Sequence, residues 1–281
     1  MRALANELGR KSFRKDARLH VLSTLGVLSI VAGVVELFFP GAFVDRTWIA
    51  WPVLAAALTT GVVRAWPRPI RTDFGSPSTT VRVVPGDMFE ASSDHLVIGV
   101  STSFETEPPA VASTSIQGQF LARVYGNDAL RLNADIASAL AGRASGQIDT
   151  FSGSRPKFAL GTTAVLRGTD RQHFLLAYTE MGPDSHVTAT VDGLWHSLTI
   201  LWDSVRRNGN GATVRIGVLG GGLSNLSSQL PAVDAIRFQI LSFILASRVS
   251  RVSEGLTIVV RPSEFEKLDH TALQIFLDSL K

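Results

Sequence analysis

The sequence predicts an α/β protein in two parts, an N-terminal two-helix transmembrane hairpin followed by a three-layer α/β/α domain. Three observations carry this. Two apolar runs, Val21 to Phe39 and Trp48 to Ala65, lie side by side with only Pro40 to Thr47 between them. The chain beyond them alternates short β-branched runs with amphipathic helical stretches. Charge divides the same way: residues 1–19 carry six Arg or Lys against two acids, and residues 79–281 carry seventeen against nineteen.

Each apolar run, at about 1.5 Å rise per residue, is long enough to cross a hydrocarbon core about 30 Å thick. The first holds one charge, Glu36, near its end, and the second holds Arg64 near its end, where a long side chain can snorkel. Trp48, Trp51 and Trp66 flank the second run as interfacial aromatics do. A cleaved signal peptide would have a shorter core and no second span, and a buried helical pair rarely needs runs this long. Arg10, Lys11, Arg14, Lys15 and Arg18 precede the hairpin and Arg64, Arg68 and Arg71 follow it, while the connecting loop has only Asp45 and Arg46. By the positive-inside rule both termini and the large domain face the cytoplasm of a multi-pass protein. Small residues at helix-packing spacing, Gly26, Ser29 and Gly33 with Ala55, Thr59 and Gly61, suit packing within one hairpin or between several.

The expected organisation is a basic segment over 1–19, the hairpin over 20–66, a Pro- and Ser-rich linker over 67–78, and the α/β domain over 79–281. Strands are expected over Thr79–Val84, Leu96–Val100, Thr162–Leu166, His173–Thr179, Thr213–Leu219 and Leu256–Val260. Helices are expected over Ser115–Tyr125, Leu130–Leu140, Val191–Arg207 and Ala235–Val249, with a last one from Ser263. The near-continuous apolar strands point to a buried, largely parallel sheet.

Composition narrows the chemistry. The sequence has no cysteine, and its six His form neither HExxH nor HxH, so no metal site and no cofactor is expected. The overall pI near 9.6 comes from the N-terminal segment, which argues against nucleic-acid binding by the folded domain. His173 in an apolar strand and His196 on a helix read as packed core residues, and Trp195 and Trp202 as core or interface packing.

In a parallel sheet, binding loops gather at the strands' C-terminal ends. Three such loops stand out. Asp87 and Met88 follow the first strand, where an acid can accept hydrogen bonds from an adenine amino group, although Pro-Gly-Asp is also an ordinary turn. The second loop runs from Ser101, Thr102, Ser103 and Phe104 to a helix start at Ser115, Ile116, Gln117 and Gly118; its stretch Glu105 to Pro109 equally reads as a surface loop. The third, Gly220, Gly221, Gly222, Leu223 and Ser224, has the glycines that let backbone N–H groups approach a pyrophosphate, or that simply make a turn.

The combination of Gly-Asp-Met after a strand, DHLVIGV, SIQGQF, KFALGTTAVL and GVLGGGLSN resembles a macro domain, the ADP-ribose-binding α/β/α module, from Thr79 to the C-terminus. The resemblance implies that Asp87, with Met88 beside it, holds the adenine and that Ser115–Gly118 and Gly220–Ser224 enclose the diphosphate. It also places Ser101 to Phe104 at the distal ribose. Hydrolytic macro domains have an Asn-Ala-Ala-Asn-like segment where this chain reads Gly99-Val100-Ser101-Thr102-Ser103-Phe104, so the expectation is a binder and not an enzyme, the alternative being a membrane-tethered ADP-ribosyl hydrolase. A third possibility is an anchor whose domain binds only protein.

A hairpin followed by such a domain is similar to the membrane effector of Thoeris-type anti-phage defence. That resemblance implies a TIR-domain partner that makes an ADP-ribose-derived signal, histidine-linked ADP-ribose. It further implies ligand-driven homo-oligomerisation and disruption of membrane lipid in the bacterial inner membrane, ending in abortive infection.

Overall fold

The computed structural model describes residues 70–90, 92–150, 153–182, 186–220 and 226–281, and before them only 21–24, 26, 27, 29, 30, 34, 37, 38, 55 and 59. The chain divides into two units, residues 1–68 and 69–281. In the first unit the described residues are helical, and the Thr59 hydroxyl donates to the Ala55 carbonyl one turn back, 2.7 Å away. The basic segment and most of the expected hairpin lie outside the described residues, among which no helix is long and apolar enough to cross a membrane.

The second unit opens with β1 (Ile70–Phe74), β2 (Thr79–Pro85) and β3 (His95–Ser101), then helices α1 (Ile116–Val124) and α2 (Ala129–Ala139). A small hairpin follows, β4 (Gly146–Thr150) with β5 (Gly153–Lys157), then β6 (Thr163–Arg167), β7 (Gln172–Met181) and the two-residue β8 (Val187–Thr188). The long helix α3 (Val191–Asn208), β9 (Val214–Gly217), α4 (Ala232–Val249) and β10 (Gly255–Val260) lead to α5 (Pro262–Phe265) and α6 (His270–Ser279).

The main sheet runs β1-β2-β10-β9-β3-β7-β6, with β8 pairing the end of β7. Its five inner strands are mutually parallel and its two edge strands antiparallel. The burial pattern shows why the centre holds: every residue of β10 is buried, and all of β3 except Gly99, which is what two covered faces require. On one face α3, α4 and α6 pack Leu198, Trp202, Ile240, Phe243, Leu273 and Leu277 against Val81, Val97, Phe174, Ile216 and Ile258. On the other, Phe120, Leu121, Leu132 and Ile136 of α1 and α2 cover Leu96, Ile98, Leu166, Leu175 and Val259. The arrangement is the expected three-layer sandwich.

Helix starts follow side-chain chemistry. Ser115, Asp128, Thr190 and Asp269 each accept a hydrogen bond from the N–H three residues on, satisfying one of the donors a helix leaves open.

Five readings are corrected. The stretch 67–78 is not simply a linker: Ile70, Thr72 and Phe74 alternate inward to make β1 antiparallel to β2, and Gln274 of α6 closes that edge by bonding both the N–H and the C=O of Arg71, at 3.1 and 3.2 Å. The last helix is two, because Asp269 caps a new start. The β4–β5 hairpin and β8 were not expected, since GQIDT and GSRPK carry no apolar alternation. His196 is exposed on α3, whereas His173 and Trp202 are buried as expected. Of the stretch Glu105 to Pro109, only residues 107–109 are exposed; Phe104, Glu105 and Thr106 are buried.

Candidate functional site

The loop between β3 and α1 is built from the end of β3 outward. A register shift against β7 between Val100 and Ser101 turns the chain. Thr102 is held on three sides: its N–H donates to Thr179, its hydroxyl accepts from the Met181 N–H at 3.1 Å, and its carbonyl accepts from the Phe158 N–H at 2.9 Å. The Ser101 and Ser103 hydroxyls lie 3.0 Å apart. Phe104 is buried in the α1/α2 core, edge-on to Phe158, and adopts φ +49°, a conformation that costs a bulky side chain of order 1–3 kcal/mol and persists only where packing enforces it.

Next to it stands Glu105, 2 % exposed. Its backbone carbonyl accepts from the Gln117 side chain on α1, and its Oε1 accepts from the Thr150 hydroxyl at the end of β4. Its Oε2 is buried with no hydrogen-bond partner among the described residues. A buried carboxylate oxygen without a donor is costly, of order 1–3 kcal/mol, and a donor or cation brought by a ligand would recover that cost.

At the start of α1, Ser115 accepts from the Gly118 N–H at 3.0 Å, so that group is already engaged. The Ile116 and Gln117 N–H groups have no hydrogen-bond partner among the described residues, and this pair is the part of the expected diphosphate cradle that is open to an anion. Gly118 is needed for close approach: a Cβ there would meet the Ala112 carbonyl oxygen at 2.4 Å.

The third loop begins beside the second. At Gly99 a Cβ would lie 2.5 Å from the Tyr178 ring and 2.9 Å from Leu219, so the missing side chain lets both close over β3. Gln239, fully buried on α4, brackets the loop's base by donating to the Gly217 carbonyl and accepting from the Leu219 N–H. Gly220 has φ +90°, which suits glycine. Gly221, Gly222, Leu223 and Ser224 lie outside the described residues.

Asp87, at the C-terminal end of β2, is half-exposed. Its carboxylate pairs with Arg123 of α1 at 2.5 Å and accepts from the Phe89 N–H at 3.0 Å, and these two contacts, Arg123 first, hold its pKa below the usual carboxylate range. Its backbone carbonyl accepts from Arg215. Met88 is buried in the α1/α2 core and presents no surface.

The structure therefore joins Ser101–Glu105 to the start of α1 and to the base of the third loop, and it ties Asp87 to the last turn of α1. Glu105, Arg123 and Tyr178 were not singled out by sequence; their roles depend on contacts between distant segments. Among the described residues no three His or carboxylate side chains come together as metal ligands.

Comparison with known proteins follows the fold. The Oceanobacillus iheyensis macrodomain with ADP is 11 % identical, over 76 % of this chain and 98 % of that one, with a TM-score of 0.52. The same macrodomain with MES bound is 14 % identical over 76 % and 98 %, with a TM-score of 0.50. At such identities the likeness is one of fold. No curated protein matches the chain. A family model described as "Thoeris protein ThsA, Macro domain" matches residues 81–261, most of the second unit, and the chain belongs to that family.

Proposed function

We propose that the chain is a membrane-anchored receptor whose second unit binds an ADP-ribose-derived signal at the C-terminal end of its parallel strands. The observation that carries this is the loop from β3 to α1, where Glu105 has a buried carboxylate oxygen with no hydrogen-bond partner among the described residues and its backbone carbonyl is tied to Gln117 at the start of α1, whose Ile116 and Gln117 N–H groups are open. An anion and a donor or cation can be held there together, which suits a diphosphate bearing an N–H-rich substituent such as histidine. The family supports the ligand class, as does the ADP in the Oceanobacillus iheyensis structure.

In this reading a TIR-domain partner supplies the signal, and the liganded domains assemble and disturb the bacterial inner membrane during phage infection. The charge asymmetry of the sequence favours a cytoplasmic domain, and the exposed apolar side chains of Leu22, Val27, Ile30, Leu37 and Phe38 suit a lipid environment. Ligand must favour one assembly state over the other, because equal affinity shifts nothing. With no Asn at the Gly99 to Phe104 segment, binding without turnover is the expected outcome.

Calorimetric titration of the full-length chain in detergent tests this. Saturable binding of histidine-linked ADP-ribose with no product released is expected, weakened about tenfold in Asp87→Ala. No heat up to millimolar ligand overturns the reading, and release of free ADP-ribose replaces it with hydrolysis.

A further inference from the structure

The N-terminal end of the same sheet holds a cavity of about 640 Å³, within the size range of small-molecule sites. Arg123 from the last turn of α1, Arg131 from α2, and Arg167 and Arg171 from the turn between β6 and β7 all line it, against two acids, Asp135 and Asp170. We propose that this cavity is a second ligand site, for a small molecule bearing two or more phosphate charges.

Charge balance is the first argument. Residues 79–281 carry a slight acidic excess, so four guanidiniums on one concavity depart from the surface around them. Arg123 is paired with Asp87, which does not line the cavity, and the two lining acids form no ion pair with the other three among the described residues. Asp135 accepts from the Tyr125 hydroxyl at 2.9 Å, and Arg131 and Arg167 have no ion-pair partner among the described residues. Arg131 is instead stacked on the Tyr125 ring, 5.7 Å from its centroid, and Arg171 donates to the Ser92 carbonyl at 3.2 Å. These contacts orient two guanidiniums without cancelling their charge. Burial, ahead of the charge of Arg215, holds the Arg171 pKa below its ordinary value, while Asp94 and Asp170 act against the shift.

Geometry is the second. The turn is held tight on the cavity floor because Gly168 donates to the Arg171 carbonyl and has no room for a side chain, a Cβ there lying 2.6 Å from that oxygen and 2.7 Å from the His173 ring. The guanidiniums come from three separate elements and so approach an occupant from different sides. Planar five-donor guanidiniums favour phosphate oxygens, which they bind bidentately. The volume exceeds one phosphate and accommodates a diphosphate or nucleotide.

The site stands at the opposite strand ends from the ligand site proposed above, and the two meet only through Arg123, which also pairs with Asp87. Arg131 and Arg167 are therefore the residues to change. Inorganic pyrophosphate titrated into the full-length chain in low salt is expected to bind saturably below millimolar. The double variant Arg131→Gln/Arg167→Gln should weaken it at least tenfold, each single change about threefold, and Lys267→Gln, exposed and outside both sites, should leave it unaltered. Glycerophosphoglycerophosphoglycerol, a headgroup with two phosphodiester charges, is the parallel probe: binding with the same Arg dependence assigns the site to a lipid headgroup, and pyrophosphate binding alone assigns it to a free phosphorylated ligand. Absence of saturable binding by either probe up to 10 mM overturns the proposal. So does pyrophosphate affinity unchanged in the double variant, and an unchanged unfolding midpoint in that variant rules out loss of fold as the cause.

Discussion

The two ends of one sheet are built on opposite principles. At the C-terminal ends of β3 and β7, Thr102, Ser103, Phe104 and Glu105 are buried and tied to four other segments, and glycines at 99 and 118 remove side chains so that neighbours can close in. At the N-terminal ends, four arginines line a cavity, and two of them, Arg131 and Arg167, have no ion-pair partner among the described residues. A rigid, desolvated end suits recognition of particular groups, where each hydrogen bond counts, whereas the solvated end acts mainly through charge. The same parallel strands support both, because loops and not strands carry the difference.

The largest effect expected from breaking this contrast concerns His173, on the boundary between core and cavity. Burial first, then Arg171 and His95, lowers its pKa from 6.5 to about 4, so the folded chain keeps it neutral. The unfolded chain binds that proton as pH drops below 6.5, so stability should be full above about pH 6.5 and fall towards pH 4, by about 3 kcal/mol in all. Urea unfolding across that range checks it, and His173→Phe should flatten the slope.

Next comes the packed end. Gly118→Ala drives a Cβ into the Ala112 carbonyl, which as backbone yields little, and should cost about 2 kcal/mol, lowering the unfolding midpoint by about 6 °C. Glu105→Gln should move stability and affinity in opposite senses. Replacing the buried oxygen Oε2, which has no hydrogen-bond partner among the described residues, should stabilise the ligand-free chain by about 1 kcal/mol, while affinity for histidine-linked ADP-ribose falls about tenfold and that for unmodified ADP-ribose falls less. The smallest effect is on the exposed side. Asp87→Ala breaks a solvated ion pair and should change stability by less than about 1 kcal/mol, whatever it does to ligand binding.

How much of this was legible in the sequence depends on where the information lies. The continuous runs of β3 and β10 and the Ser115 cap are local, and they gave the sheet centre and α1 within a residue or two. β1 was hidden because five residues between prolines look like a tether until Gln274, some 200 residues on, closes their edge. Glu105 reads as surface because an acid usually is, and its buried place is tied down by Gln117 and Thr150 from distant segments. The arginine cavity left no motif: its four guanidiniums are spread over residues 123–171, and the domain's acidic excess averages them away.

Hydrogen–deuterium exchange of the full-length chain with and without histidine-linked ADP-ribose asks directly which end reads the signal. The account predicts slowed exchange across residues 101–118, with residues 163–173 unchanged. Protection confined to 163–173 with none over 101–118 would contradict it.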